Sequence, residues 1–441
     1  MYIGHRLAVS IALISTCAVA SNGGAVEQKP DLSKLTMQQV IEQTMKPYTG
    51  RSVKGVDRST LTGKVMCGYQ GWFACKGDDC GRGWVHWGPG EFRPGRLSVD
   101  MWPDVSELDA DERYPTDFRH TDGRVAEVFS SFNRKTVVRH FKWMRDYGID
   151  GAFVQRFAVE LNTPLSLRQF TTMLGHCREG ANTYGRTYAV MYDMDFDAAT
   201  LKRVRDDWSD LVGRMKLTKD PAYLHHNGKP VIGLWGFGFT HRKWDTEDAR
   251  KFLESLRNDK ALGKCTILLG LPTGWRTLSG DCRADKEIME IIRKSCDIVS
   301  PWTVGRYGTP DEAARHADTI WKPDMQWCKE NGKDYLPVVF PGFSWHNMFA
   351  DSKTDAIPRL GGKLLWKQYA EAKKLGATMI YQAMFDEVDE GTAIFKVTND
   401  PPIGDFVKEP GQPSDHYLWL TGKAARMISG KAPLSETMPV R

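Results

Sequence analysis

Eight short runs of β-branched and aromatic residues, each followed by a longer amphipathic stretch, constrain this chain more than any other feature. The runs cover positions 64–69, 150–156, 187–193, 230–235, 265–271, 297–302, 335–340 and 377–384. Helical periodicity fills the intervals. In 136–147 it places Val137, Val138, Phe141 and Met144 on one face, and Gly148 stops the helix. Comparable patterns cover 165–179, 199–215, 246–256, 284–294, 310–330, 363–374 and 416–428. Strands that are apolar along their whole length are buried on both faces, which calls for a parallel sheet covered by helices. Eight such units call for closure into an α/β (β/α)8 TIM barrel. The competing open, doubly wound sheet would carry Gly-x-Gly-x-x-Gly after its first strand, and this chain has none there.

The barrel is expected to occupy residues 60–432, with a tail at 433–441. Before it, 1–20 read as a signal peptide: a basic start through Arg6, an apolar run over 7–19 and a small-x-small site at Ala18-Val19-Ala20. Cys17 makes a lipoprotein signal the competitor, although Thr16 fits it poorly. Residues 21–59 read as a leader and a short helix N-capped by Thr36. The expected location is therefore exported, periplasmic or extracellular. No later run is long and apolar enough for a membrane helix. Export leaves eight cysteines after Cys17 in an oxidising compartment, and a Cys75–Cys80 disulfide is plausible in their Gly-rich loop. There is no CxxC pair for zinc.

The net charge of +5 comes without any Lys/Arg-rich run, so nucleic acid is not an expected partner. The fifteen Trp residues point elsewhere. An indole offers a flat apolar face to the C–H side of a sugar ring and an N–H to a hydroxyl, so carbohydrate is the expected partner. The plain alternative is that many of them pack a core. One connection, about 70–135, is far longer than the rest. It would overhang the C-terminal face, and loops of that length are usually functional. It holds Trp72, Trp84, His86, Trp87 and Trp102, which either wall a binding site or pin a small core of their own.

In a TIM barrel the reactive groups come from the C-terminal strand ends. Reading those ends in order gives Tyr69 and Trp72, Gln155 and Arg156, Asp193 and Asp195, Trp235, Trp275 and Arg276. Trp302 and Arg306, then Trp345, His346 and Asn347, and finally Asp386, Glu387, Asp389 and Glu390 complete the rim. The expected sugar contacts are Tyr69, Trp72, His86, Arg156, Asp193, Trp235, Trp302, Arg306, Trp345 and His346. No Gly-x-Ser-x-Gly, reactive-Cys signature or His pair at metal spacing is present, and no cofactor or metal is expected. The alternating Asp193-Met194-Asp195-Phe196-Asp197 could hold calcium, accept from sugar hydroxyls or cap the next helix.

The sharpest element is Asp386-Glu387-Val388-Asp389-Glu390-Gly391-Thr392. Four carboxylates in five positions cannot all stay ionised in a partly buried cleft, so at least one pKa must rise. Glycoside hydrolysis uses that split: one carboxylic acid protonates the leaving oxygen while a carboxylate acts on the other side. Glu387 and Glu390 are the expected catalytic pair. An acidic helix start is the structural alternative, and a non-catalytic carbohydrate-binding barrel is the functional one.

These residues resemble the glycoside hydrolase family 71/99-like group. Its family 99 endo-α-mannosidases carry Glu-x-x-Glu-Gly-Thr after the last strand, as in Glu387-Val388-Asp389-Glu390-Gly391-Thr392. The segment 223–232 and Pro341-Gly342-Phe343 are similar to further stretches of that family. The resemblance implies Glu390 as general acid/base. It implies Glu387 as the partner that deprotonates the sugar 2-hydroxyl, giving an anhydro-sugar and net retention. Val388-Asp389 stand where family 99 has Trp-His, and Gly68-Tyr69-Gln70-Gly71-Trp72 replaces that family's first-strand pattern. Bacterial relatives labelled xylosidase/arabinosidase are more similar in both segments.

Overall fold

The computed structural model describes residues 31–441. The expected signal peptide, Cys17 and the leader up to residue 30 lie outside the described residues. The described residues of the first unit, up to Lys34, hold a 3-10 turn, Leu32–Lys34, with Asp31 accepting from the Ser33 N–H. The remainder, from Leu35, is a second compact unit.

That second unit is a (β/α)8 barrel. Its strands are β1 Val65–Tyr69, β2 Gly151–Phe157, β3 Thr187–Asp193, β4 Lys229–Trp235, β5 Thr266–Leu271, β6 Ile298–Pro301, β7 in two pieces and β8 Ile380–Gln382. Each pairs in parallel with its sequence neighbour, and β1 pairs with β8. Closure runs through β7. Asp334–Tyr335 pairs with β6, while Val338–Val339 pairs with β8. Pro337 sits between the pieces and has no N–H for a ladder, so the strand changes partner there. Its carbonyl still accepts from Tyr381 N at 3.0 Å.

The outer ring is α1 Arg134–Tyr147, α2 Pro164–Tyr184, α3 Ala198–Gly213, α4 Thr246–Asn258, α5 Glu287–Ser295, α6, α7 Lys363–Lys374 and α8 His416–Ile428. Their ends follow local chemistry. Asn133 caps α1 and Gly148 ends it at φ 80°. Thr163 and Pro164 open α2, and Gly185 ends it at φ 64°. The long α6 runs Pro310–His316 and Lys322–Glu330, joined by a π turn at Ala317–Trp321. Pro323 removes the donor that a regular helix would aim at Thr319, which accounts for the wider turn. Ahead of β1, Met37–Thr44 is a helix with Thr36 and Gln39 in a capping box, as the sequence led us to expect.

The long β1–α1 connection folds over the C-terminal mouth. It contains a hairpin, Tyr114–Arg119 with Val125–Val128. Under it Phe73, Trp87, Phe92, Trp102, Phe118 and Phe129 pack edge to face, at tilted angles and, for Phe92 on Trp102, stacked, with centroids 4.5–5.6 Å apart. Trp87 and Trp102 are therefore core residues of the loop. The eight described cysteines are all buried free thiols, so Cys75 and Cys80 do not form the expected disulfide. Asp78 organises their loop instead, accepting from both Cys75 N and Cys80 N at 2.8 Å.

Candidate active site

Strand parity decides which rim residues face the mouth. On β1, a Cβ at Gly68 would collide with Met384 and Tyr381 inside the barrel. Positions 66, 68 and 70 thus point inward and Tyr69 points out. Tyr69 is fully buried against α1, its hydroxyl 2.9 Å from His140 Nδ1. On β2, Gln155 faces in and donates to the Tyr381 hydroxyl at 2.8 Å. Arg156 faces out. It is 1% exposed and grips Asp207 with Nε–Oδ2 at 2.6 Å and Nη2–Oδ1 at 2.5 Å, and Asp207 also accepts from Tyr192. The expectation that Tyr69 and Arg156 contact sugar is corrected: both belong to the layer between strands and helices. Gln70 and Gln155, their inward neighbours, line the mouth instead.

The mouth holds a cavity of about 310 Å³. Gln70 and Trp72 wall it beyond β1, Gln155 and Phe157 at β2, Asp193 at β3, Trp235 and Arg242 at and after β4, Trp302 after β6, and Glu387 and Glu390 after β8. A second cavity of about 610 Å³ adjoins it and shares Trp235, Trp302 and Glu390. Arg306, Phe343 and Trp345 line this outer space. Arg306 is exposed there and ion-paired to Asp281. His346 lines neither cavity. Its N–H donates to Asp100 at 2.8 Å and its Nδ1 lies 2.5 Å from the Ser352 carbonyl oxygen, so it fastens a loop. This corrects its assignment as a sugar contact.

The acidic segment after β8 is folded into the long loop. Asp100 N and Met101 N both donate to the Val388 carbonyl, at 3.0 and 3.1 Å, and Ser344 N donates to that of Glu390 at 2.9 Å. Gly391 turns the chain at φ 66°, where a Cβ would lie 2.8 Å from Ser344 N. All four carboxyls are pushed up, and burial is the largest cause for each. They differ in what opposes it. Asp386 accepts from Gln70 N and Gly71 N at 2.8 and 2.9 Å and still rises to about 7. Glu387 is raised further by the charges of Glu390 and Asp389, but the Gln70 amide and the Thr392 hydroxyl hydrogen-bond its two oxygens. Asp389 Oδ2 lies 3.0 Å from His86 Nδ1. Glu390 has no such donor among the described residues. Asp389 and Asp193 add to its burial, and it rises to about 8.

The pair formed by Glu387 and Glu390 therefore holds a proton at neutral pH. We place it on Glu390. The two donors at Glu387 favour a carboxylate there, and nothing comparable stabilises charge on Glu390.

The remaining walls are aromatic or clamped. His86, expected as a sugar contact, lines neither cavity: with φ 63° it lies flat on Trp72, the rings 3.8 Å apart and 4° from parallel, and supports that wall from behind. A non-glycine residue in that region is strained, and such strain gathers at functional sites. Arg242 pairs with Asp193 at 2.6 Å and sits over the Trp235 ring. Asp195 lies 3.8 Å from the same guanidinium, and Asp197 caps α3. Asp193 and Asp195 thus share the Arg242 guanidinium, while Asp197 serves the start of α3. Trp72 Nε1, Trp235 Nε1 and Arg242 Nε are buried without a protein acceptor among the described residues, and all three belong to cavity-lining side chains. Donors of that kind suit a polyol ligand.

No family model and no curated protein matches the chain. Solved structures do. An endo-α-mannosidase of glycoside hydrolase family 99 from Bacteroides thetaiotaomicron, in complex with bis-tris-propane, superposes with a TM-score of 0.59 at 17% identity. The match covers 84% of this chain and 99% of that one. A second structure of the endo-α-mannosidase from that organism gives 0.57 at 17% identity over 85% and 100%. A glycoside hydrolase-like protein gives 0.53 at 12% identity over 87% and 98%. At these identities the likeness concerns the fold.

Proposed function

We propose that the chain is a glycoside hydrolase that cleaves poly- or oligosaccharides with Glu390 as general acid/base and Glu387 as its partner carboxylate. One observation carries this reading: two carboxyls of one cavity, three positions apart, are both pushed up by burial, so the pair retains a proton, and of the two only Glu387 is held by hydrogen-bond donors among the described residues. Two carboxyls pushed apart in protonation are what acid-assisted glycosidic cleavage requires. Glu390 passes its proton to the leaving oxygen as the C1–O bond breaks.

By the family 99 resemblance, Glu387 withdraws the proton of the 2-hydroxyl, whose oxygen takes the bond at C1. Water, deprotonated by Glu390, then opens the anhydro ring, and the Glu387 proton returns to O2. The sum is glycoside plus water giving two hydroxyls, with retention at C1. The aromatic walls and the fold shared with family 99 structures support a carbohydrate substrate. The amino-terminal pattern supports export to the periplasm or beyond.

The test is Glu390→Gln and Glu387→Gln on a panel of plant and microbial glycans with product analysis. Each variant should lose about 10²–10⁴-fold of the rate and keep the far-UV spectrum of the parent. Full hydrolysis by either one refutes the assignment.

A further inference from the structure

The two cavities differ in a way that bears on where along a glycan chain the cut is made. Glu387 lines only the inner one, whereas Glu390 lines both. An acid that protonates the bridging oxygen must stand where the ring being cleaved off meets the leaving group. The inner cavity therefore takes the ring whose C1 reacts, and the outer one takes the leaving group. At about 310 Å³ the inner cavity is at the lower end for ligand sites and suits a single sugar ring.

Its far side is walled. Trp72 lies between His86 and Phe157, with centroids at 3.8 and 5.2 Å. Behind this stack the long loop is fastened across to the β2–α2 connection and to α2 itself. Arg82 pairs with Glu160 at 3.0 Å and donates to Gln169 at 2.6 Å, and Arg168 donates to the carbonyls of Asp79 and Cys80 at 2.8 and 3.0 Å. Round the rim, Arg242 ties the loop after β4 to Asp193 at the end of β3. The outer cavity is about twice as large and is lined by Phe343 and Trp345, and Phe349, 51% exposed, packs on Trp345 beside it, these rings lying 4.8–4.9 Å apart.

Building on the glycosidase reading, we infer that the enzyme works from chain ends. It removes one neutral sugar ring at a time from the non-reducing terminus, and the remaining chain lies along the Phe343–Trp345–Phe349 wall. Charge selects the neutral ring. The guanidinium of Arg242 is matched by Asp193, and a sugar carboxylate or sulfate would meet the Glu387 carboxylate with no free cation on the lining of the inner cavity among the described residues.

Oligosaccharides of two to six residues, labelled at the reducing end with 2-aminobenzamide, test this beside the same chains capped at the non-reducing end by a 4,6-benzylidene group. The expected products are free monosaccharide and labelled chains one residue shorter, with capped chains left intact. Trp345→Ala should lower kcat/KM about tenfold on chains of three or more, and an unchanged value would take the remaining chain off this wall. Internal fragments, or cleavage of capped chains, would overturn end-wise action while leaving the glycosidase reading in place. No cleavage of any chain by the parent protein would overturn both.

Discussion

Replacing Glu390 by Gln should stabilise the protein while abolishing its activity, and the gain should grow with pH. Burial, Asp389 and Asp193 lift the Glu390 carboxyl from the ordinary 4.5 to about 8 in the folded protein. In the unfolded chain it ionises near 4.5. Between these values the folded state holds a proton that the unfolded state has released, so stability falls as pH rises through this window. Below about 4.5 the group costs nothing. Each unit of separation is worth about 1.4 kcal/mol, which gives a penalty of about 1 kcal/mol at pH 5, about 3 at pH 7 and about 5 at pH 9. Gln is a neutral isostere and carries none of it. With an unfolding entropy of about 2 cal/mol/K per residue, roughly 0.9 kcal/mol shifts the midpoint of a chain this size by one degree. Glu390→Gln should therefore unfold about 1 °C higher than the parent at pH 5, about 3 °C higher at pH 7 and roughly 5–6 °C higher at pH 9. Thermal unfolding of both proteins in buffers of matched ionic strength reads this directly. A variant no more stable than the parent, or a difference that does not change with pH, would refute the claim that Glu390 is held protonated.

Two other expectations bear on the site and its frame. With kcat/KM followed against pH, the basic limb should fall tenfold per unit above about 8 as Glu390 loses its proton. Asp193→Asn removes one of the charges that raise it and should move that limb to lower pH, whereas an unmoved limb would separate Asp193 from the acid. Arg156→Met leaves Asp207 buried without its cation and should cost about 3–5 kcal/mol in urea unfolding; a raised KM at unchanged stability would return Arg156 to the substrate.

The barrel was legible because its evidence is repeated: eight apolar runs and eight amphipathic faces must each find cover, and a closed parallel sheet covers all of them. The strand ends were legible for the same reason, and with them the segment from Asp386 to Glu390. The phase of each strand was not. A strand such as Gly151–Phe157 is buried on both faces, so it lacks the polar–apolar alternation that would mark its inward side. Tyr69 and Arg156 thus stand at the right height on the wrong face, one residue from Gln70 and Gln155. Contacts across long separations were equally hidden. His86 meets Asp389 across the whole barrel sequence, and Arg242 belongs to a loop whose composition does not announce that it reaches Asp193. His86 was expected as a sugar contact from its indole-rich loop, but it stands behind Trp72 and meets Asp389, which only the fold discloses.

The acidic cluster is costly because burial disfavours every charge in it, and the structure compensates it unevenly. Asp386 receives two backbone N–H groups, Glu387 an amide and a hydroxyl, and Asp389 an imidazole. Most of these donors come from the start of the β1–α1 connection, at Gln70, Gly71 and His86, while Asp100 further along the same loop anchors the backbone beneath Val388. The barrel sets the height of the carboxylates, and the long loop decides which of them can carry charge. Glu390, the one without donors, faces both cavities. Stabilisation withheld at one carboxyl of four leaves a proton available where a bridging oxygen would lie. Supplying a donor there would make the protein more stable and the acid weaker as a catalyst.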